Sequence, residues 1–356
     1  MLVKIFEDSG GNKTMKRIGN LYHKIYDIDN IKLAHKNARK GKTHYVEVIE
    51  VDNNIEYYCN LLQESLKNKT FQNSPYEVFI KQDKNKTRTI YKLPYFPDRI
   101  LHHAILQVLE PIWKKTFIKN TYQSIKGRGV HKAKSDVCKA IKTYDTSNEV
   151  YYGQIDIQKF YPSVDNSIML NIVARKIKCK DTLLLLEEII NSTKGLPIGN
   201  YISQYLGNLY LTYLDHYVKE QLRIKHYFRY CDDIVLLGTC PSNIKLNIKL
   251  IKDKIKELNL NIKGNVKVND LSKGLDFLGF IFKRRNVLLR KSIASSFKIA
   301  TRIFLNSPSI KNLNSVISYN GWVIASDSYN LWKKYINHKF KQVVVNVKLS
   351  NKTLWR

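Results

Sequence analysis

The stretch FRYCDDIVLLG, Phe228 to Gly238, decides how this chain is read. HYFRY and IVLLG are apolar runs separated only by Cys231, Asp232 and Asp233, a pattern that predicts a tight antiparallel hairpin. Asp is a favoured turn residue, so an acid pair in a surface turn is the ordinary finding. Beside a buried sheet, however, two like charges raise the pKa of one of them unless a cation neutralises the pair. A third acid, Asp156, ends the apolar run YYGQID and is followed by the aromatic pair Phe160-Tyr161. Acids at strand ends can hold divalent ions. Hard cations such as Mg2+ take carboxylate oxygens together with substrate phosphates, and a pair of them clamps the attacking and leaving oxygens of phosphoryl transfer. Neighbours along a strand face opposite ways, so Asp156 and Asp232 are the expected principal ligands and Asp233 a secondary one.

Outward from the hairpin the pattern is mixed. Helical spacing in IEYYCNLLQESL precedes two strands, YEVFI and TRTIYKL, and a long amphipathic helix in DRILHHAILQVLEPIWKKTF is opened by Pro97 and Asp98. A second helix runs through HKAKSDVCKAIK after the Gly127 to Gly129 loop, and helices follow YYGQID as far as Asn191. Beyond the hairpin, KLNIKLIKDKIKEL reads as a helix leading to strands around NLNIKG, LDFLGFIF and NVLLRK, and the rest reads as helical. No repeat or low-complexity linker divides the chain. The middle is therefore α+β with an antiparallel sheet, and the end is a helical appendage.

Composition narrows the partners. Of 356 residues, 60 are Lys or Arg and only 30 are Asp or Glu, a formal charge of +30. Such self-repulsion points to an anionic partner, nucleic acid ahead of an acidic membrane surface. With 44% hydrophobic residues the chain can bury a core, which argues against disorder. The longest uncharged run, between Lys194 and Asp215, carries Asn200, Ser203, Gln204 and Asn208, so it is not expected to span a membrane. MLVKIFEDSGGNKTMKR has no apolar core of a secretory signal. The five Cys form no CxxC and the nine His complete no zinc spacing. Reduced thiols in a cytoplasmic protein are expected.

The order DIQKFYPSVD, GLPIGNYISQYLGN, FRYCDDIVLLG, LDFLGF resembles the palm motifs of reverse transcriptases. TRTIYKLPYFPDRILHHAILQVLEPIW resembles the fingers segment of the bacterial enzymes, TYQSIKGRGVHKA the motif after it, and SYNGWVIASDSYNLW the helical thumb. The resemblance implies an α+β right-hand polymerase fold of fingers, a palm with an antiparallel sheet, and a helical thumb. The expected boundaries are an N-terminal helical extension at 1–75, fingers at 76–150, palm with inserted fingers helices at 151–283, and thumb with a basic tail at 284–356. The residues beyond Gly279 suffice for a thumb but not for a further RNase H or endonuclease domain, so degradation or nicking is expected to come from elsewhere.

Within the family, retroviral and group II intron enzymes mostly carry Gln-Gly in the middle motif and end it Ser-Pro. This chain has Ile198-Gly199 and Ser203-Gln204. That pattern, with His102-His103-Ala104 and RGVHKA, resembles the reverse transcriptases of diversity-generating retroelements, which copy a template RNA with frequent errors opposite adenine. The chain departs from the group II pattern at Ile125, where Arg is common, and has Cys231 where Ala or Met is usual.

The resemblance implies roles residue by residue. Asp156, Asp232 and Asp233 are the catalytic acids and, with Ile157, the positions that hold two Mg2+ ions, with Mn2+ as a substitute. Lys86, Arg88, Tyr161, Ile198 and Gly199 bind the incoming dNTP, with Arg88 on the triphosphate and Tyr161 excluding a 2'-OH. Ile198, Ser203 and Gln204 bear on fidelity: an apolar Ile198 leaves no polar group unsatisfied by a wrong pair, and so discriminates little. Phe277, Leu278 and Gly279 form the primer grip. Lys267 is the candidate general acid for pyrophosphate, with Lys263 as its competitor. Partners are template RNA, the RNA/cDNA duplex, dNTP and an accessory variability determinant protein, a small basic helical oligomer; no membrane is expected. The rivals are a reverse transcriptase of another bacterial class, group II intron-like or phage-defence, and a non-catalytic RNA-binding scaffold. The basic tail HKFKQVVVNVK is read as a contact for template or partner, or as a solvated end.

Overall fold

The computed structural model describes residues 17–83, 86–338 and 340–345. In chain order, α1 (Tyr22–Ile25), α2 (Ile28–Ala38), α3 (Val46–Asn53) and α4 (Ile55–Lys67) lead to the strands β1 (Glu77–Asp83) and β2 (Lys86–Lys92). Next come α5 (Ile100–Lys114), α6 (Val130–Lys142), β3 (Tyr151–Asp156), α7 (Phe160–Ser163), α8 (Asn166–Ala174), α9 (Lys180–Asn191), α10 (Ser203–Tyr210) and α11 (Thr212–His216). The hairpin strands β4 (His226–Tyr230) and β5 (Asp233–Gly238) precede α12 (Pro241–Glu257). Four short strands, β6 (Val268–Asp270), β7 (Leu275–Phe277), β8 (Phe280–Phe282) and β9 (Val287–Leu289), are followed by α13 (Lys291–Asn306), α14 (Ile310–Ile324) and α15 (Tyr329–Tyr335).

The chain divides into two compact units. One takes in the chain up to Lys126 with Ile155–Ile234 and Asn247–Val266; the other takes in Gly127–Gln154, Val235–Leu246 and the chain from Lys267. Strand order in the four-stranded sheet is β4-β5-β3-β6, with Tyr151, Tyr152 and Gly153 of β3 opposite Asp270, Asn269 and Val268. β1 and β2 form their own antiparallel hairpin, and β7-β8-β9 a three-stranded meander.

Local chemistry explains the helices of the first unit. The Asp27 carboxylate accepts from the Asp29 and Asn30 amides, satisfying donors that the start of α2 would otherwise leave open. Ile31, Ala34 and Ala38 then form one buried stripe of α2, and Cys59, Leu62 and Leu66 one of α4. Asn30 Nδ2 donates to the Ala104 carbonyl, and Gln107 Nε2 returns a bond to the Asn30 carbonyl, joining α2 to α5 through polar groups amid an apolar seam. In the second unit, Ser309 caps α14 through the Asn312 amide, and Phe297, Ala300 and Phe304 bury one face of α13.

The long helix opens where expected: Phe96 is extended (φ −110°, ψ 134°), Pro97 to Arg99 have helical backbone, and the regular α5 continues from Ile100. Two expectations need correction. NLNIKG is not a strand. Its pairing is one bridge, Ile157 to Ile262, because its partner ends at Asp156 and Lys159 turns left-handed at φ 45°. The turn of the β4–β5 hairpin is Cys231-Asp232 alone, and Asp233 is the first residue of β5. Reading by apolar runs also passed over β6, whose VND has no such run.

Candidate active site

Asp156, Asp232 and Asp233 lie at strand ends of the first unit, and main-chain bonds fix their order. The Ile157 amide donates to the Asp232 carbonyl at 3.2 Å, and the Lys263 amide donates to the Asp156 carbonyl at 2.7 Å. Gln158 N–H in turn reaches the Asn261 carbonyl at 2.8 Å. The end of β3 is thus held between the hairpin turn and the segment after α12. Cys231 makes the turn possible by taking a left-handed conformation at φ 58°, uncommon for a side chain that is not Gly.

Lys263 Nζ stands 3.7 Å from Asp156 Oδ2, both side chains being about half exposed. Among the described residues, no three His, Cys, Asp or Glu side chains are close enough together to hold a metal ion as they stand. Carboxylates with no cation between them repel, and the Lys263 ammonium supplies Asp156 with a positive neighbour. The donor chemistry nonetheless fits a hard divalent cation: carboxylate oxygens, with the Ile157 carbonyl as a further oxygen donor.

Tyr161, in α7, comes against the same turn. The Cys231 thiol donates to its hydroxyl at 3.5 Å, and the ring meets Phe160 edge-on at 5.3 Å. Burial first, then Cys231 and the Asp232 charge, hold the Tyr161 phenol well above its ordinary range. Burial and Asp232 likewise push the Cys231 thiol up to about 12, so it is a neutral filler here rather than a nucleophile.

The middle motif is bound to the β1–β2 hairpin. The Tyr91 amide donates to the Ile198 carbonyl at 2.8 Å. Gly199 has φ +128°, and a Cβ built there would lie 2.4 Å from the Tyr91 carbonyl oxygen, so the approach of β2 requires glycine. Ile198 is half-buried and Gly199 exposed. A pocket of about 150 Å³ opens beside them, lined by Phe79, Ile90, Arg99, His102 and Tyr201 among others. Ser203 is buried, while exposed Gln204 accepts from the Ser124 hydroxyl. Arg88 lies exposed on β2 opposite Lys81. Lys86 begins that strand, and its side chain lies outside the described ones. Of the tail HKFKQVVVNVK, Lys339 and the residues from Asn346 on also lie outside the described residues.

The remaining site candidates belong to the second unit. Phe277 ends β7, Leu278 (φ 55°) and Gly279 (φ 82°) make the turn, and Phe280 starts β8. Two successive positive φ values are the mark of a tight hairpin turn. What approaches Gly279 is side chain: a Cβ there would meet Ile293 Cδ1 at 2.7 Å and Trp322 Cζ3 at 2.8 Å. Trp322 also packs on Phe280 at 5.3 Å. Lys267 is an exposed residue just before β6.

Sequence reasoning missed the ion pair of Arg229 and Asp215, both wholly buried and 2.6 Å apart in the first unit. Two signals were available. Arg229 sits inside the apolar run HYFRY, and Asp215 closes the longest uncharged stretch.

Acid-bearing strand ends on an antiparallel sheet, among helices, make this the α+β right-hand polymerase fold. Residues 79–282 match the family described as reverse transcriptase (RNA-dependent DNA polymerase), and the chain belongs to that family. It is 24% identical over 203 residues to Protein YkfC of Escherichia coli (strain K12), covering 54% of this chain and 53% of that protein. It is 24% identical over 174 residues to the group II intron-encoded protein LtrA of Lactococcus lactis subsp. cremoris, covering 46% of this chain and 28% of LtrA. The matched part thus spans about half of one relative and about a quarter of the other. Among solved structures, apo telomerase from Candida tropicalis aligns with a TM-score of 0.49 at 10% identity, covering 79% of this chain and 59% of that one. Among the described residues no helix is long and apolar enough to cross a membrane.

Proposed function

We propose that the chain is an RNA-directed DNA polymerase that copies a template RNA into cDNA, with frequent errors opposite adenine, as the reverse transcriptase of a diversity-generating retroelement. The observation that carries the catalytic part is the Ile157 to Asp232 main-chain bond, which brings the strand-end acids of β3 and the hairpin turn together in a chain of this family. In the reaction the primer 3'-OH attacks the α-phosphate of a dNTP; the P–O bond to pyrophosphate breaks as the new phosphodiester forms, and the hydroxyl proton is lost.

Asp156, Asp232 and Asp233, with the Ile157 carbonyl, would hold Mg2+, which supplies a lowered pKa at the 3'-OH and neutralises charge on the departing pyrophosphate. Arg88 and Lys86 take triphosphate oxygens, the guanidinium suiting a bidentate grip. Tyr161 is the residue that excludes a 2'-OH on the incoming sugar, a role its position against the catalytic turn at Cys231 supports. Lys267 is the candidate proton donor to pyrophosphate, and Lys263, whose ammonium is 3.7 Å from Asp156 Oδ2, is its competitor. Ile198 offers the base pair an apolar wall with no polar group to be left unsatisfied by a mismatch, which supports low fidelity. Phe277, Leu278 and Gly279 grip the primer, and a basic helical accessory protein joins the enzyme on its template.

Primer extension on an adenine-rich RNA with Mg2+, read by sequencing, tests this. Mg2+-dependent cDNA carrying errors concentrated opposite adenine is the expected result; accurate cDNA defeats the retroelement assignment, and no cDNA defeats the polymerase. The match to LtrA supports a second reading, a group II intron-like enzyme. A template repeat and a near-identical variable repeat beside the gene would decide for the first.

A further inference from the structure

We infer that Arg229 and Asp215 are positioning residues that set the catalytic turn, acting through the Cys231 carbonyl on where Asp232 points. This rests on the polymerase reading above.

The guanidinium makes one bond for each of its five N–H groups. Nε donates to Asp215 Oδ1 at 2.7 Å and Nη2 to Asp215 Oδ2 at 2.6 Å, a bidentate pair. Nη2 also reaches the Asn208 carbonyl at 3.3 Å, and Nη1 reaches Asn208 Oδ1 at 3.3 Å. The remaining Nη1 bond, at 3.0 Å, goes to the carbonyl of Cys231, the left-handed residue before Asp232. On the other side, Asp215 is filled by the Tyr227 hydroxyl at 2.6 Å on Oδ1 and the Thr121 hydroxyl at 3.0 Å on Oδ2. Burial alone would depress the guanidinium, but the Asp215 charge and hydrogen bonds more than offset this and hold Arg229 above its ordinary range.

The network has three anchors. Asn208 is in α10, the helix that carries Ser203 and Gln204, and its Nδ2 donates to the Gln123 carbonyl at 2.8 Å. Asp215 is in α11. Arg229 is tied by its main chain to the segment before Gln123, accepting from the Tyr122 amide at 3.2 Å and donating to the Asn120 carbonyl at 2.9 Å. The turn is therefore referenced to the middle-motif helix rather than left to its own two residues. Burying two charges is expensive, and an apolar pair of the same volume often serves stability as well or better. What an apolar pair cannot supply is a donor aimed at the Cys231 carbonyl. A fixed turn matters because Asp232 has to meet an ion whose geometry tolerates little displacement.

The test compares the parent with Asp215→Leu/Arg229→Met, which removes both charges together, and with Arg229→Lys. A Lys ammonium keeps the charge beside Asp215 but cannot span Asp215, Asn208 and the Cys231 carbonyl at once. Each is measured by thermal melting, by RNA/DNA duplex binding, by kcat and KM for dNTP, and by Mn2+ binding followed by electron paramagnetic resonance with the metal alone. The expected result for the double variant is a lower melting temperature, because the Tyr227 and Thr121 hydroxyls, Asn208 and the Cys231 carbonyl lose buried partners, with unchanged duplex binding at temperatures where it is folded. Its kcat falls by roughly 100-fold with little change in KM, and Mn2+ binds at least about 10-fold more weakly. Arg229→Lys should be folded and show the same pattern to a smaller degree. Should the double variant not fold, Arg229→Lys decides. A folded variant with parental kcat and parental Mn2+ affinity overturns the inference. If the parent itself makes no cDNA, the polymerase reading fails, while weaker Mn2+ binding by the variants would still bear out the positioning of Asp232.

Discussion

The Ile157 amide and the Asp232 carbonyl are 3.2 Å apart and hydrogen-bonded, so the residue after one strand-end acid is fastened to another acid through the main chain. Side-chain chemistry at either position can therefore be altered without unmaking the frame that joins them. That separation of frame from chemistry is what makes single carboxylate replacements informative here.

Asp232→Asn keeps the side chain's shape and the main-chain bond but removes one charge and half of the oxygen donors. Mg2+-dependent cDNA synthesis should fall by roughly 100- to 1000-fold while RNA binding changes little. Primer extension and a filter-binding titration on the same preparation check it. Full activity in the variant would sink the metal assignment of this acid.

Tyr161→Ala removes the ring that packs on Phe160 and touches Cys231. With that wall gone, the preference for dNTP over rNTP, as a ratio of kcat/KM, should drop by roughly 10- to 200-fold, the range that steric pockets command. An unchanged ratio would move the sugar gate to another residue.

How much of this was legible in the sequence follows from what each feature depends on. The hairpin around Asp232, the end of β3 at Asp156 and the helix α4 were readable because apolar period and turn chemistry are local. The bridge at Ile262 and the strand β6 were misread or missed because their pairing is dictated by a partner far along the chain. Lys263 and Lys267 could not be ranked among many Lys, and only folding puts Lys263 on Asp156. Arg229 and Asp215 were visible as charges in apolar surroundings, but their pairing across intervening elements was not.

Ile198→Gln places an amide where the structure has a half-buried apolar side chain. A group that must be hydrogen-bonded penalises pairs that leave it unsatisfied, so misincorporation opposite template adenine should decrease, by about 10-fold if one buried polar group decides it. Sequencing cDNA made by both proteins on one RNA checks this, and identical error spectra would defeat it.

Gly199→Ala should loosen the joint between β2 and the middle motif. The added methyl would stand 2.4 Å from the Tyr91 carbonyl oxygen at a φ of +128°, so the backbone must shift or strain by roughly 1–3 kcal/mol. Urea unfolding should report that loss. Stability equal to the parent's would mean that the close approach of Tyr91 to Gly199 is not maintained in solution.

Two histidines give the chain an acid sensitivity of known sign. Burial, then neighbouring His103 and Arg99, pushes His102 down to about 3; burial, then Arg99 and Lys40, pushes His103 down to about 4. Neither Nε2 has a hydrogen-bond partner among the described residues, and His103 stacks on Tyr201 at 3.9 Å. An unfolded chain protonates both near the ordinary 6.5, whereas the folded one resists. The unfolded state therefore binds more protons throughout the interval between those values, and stability must rise with pH across it. The contribution is complete above pH 6.5 and is lost as pH falls toward the folded values. For His102 alone, the whole contribution above pH 6.5 is roughly 5 kcal/mol, relative to pH values below the folded pKa. His102→Leu removes that proton uptake, so the variant's stability should vary less steeply between pH 7 and pH 4 than the parent's, whatever its absolute value. Urea titrations at a series of pH values measure the slope directly. Parallel slopes for parent and variant would show that His102 is not held neutral by burial.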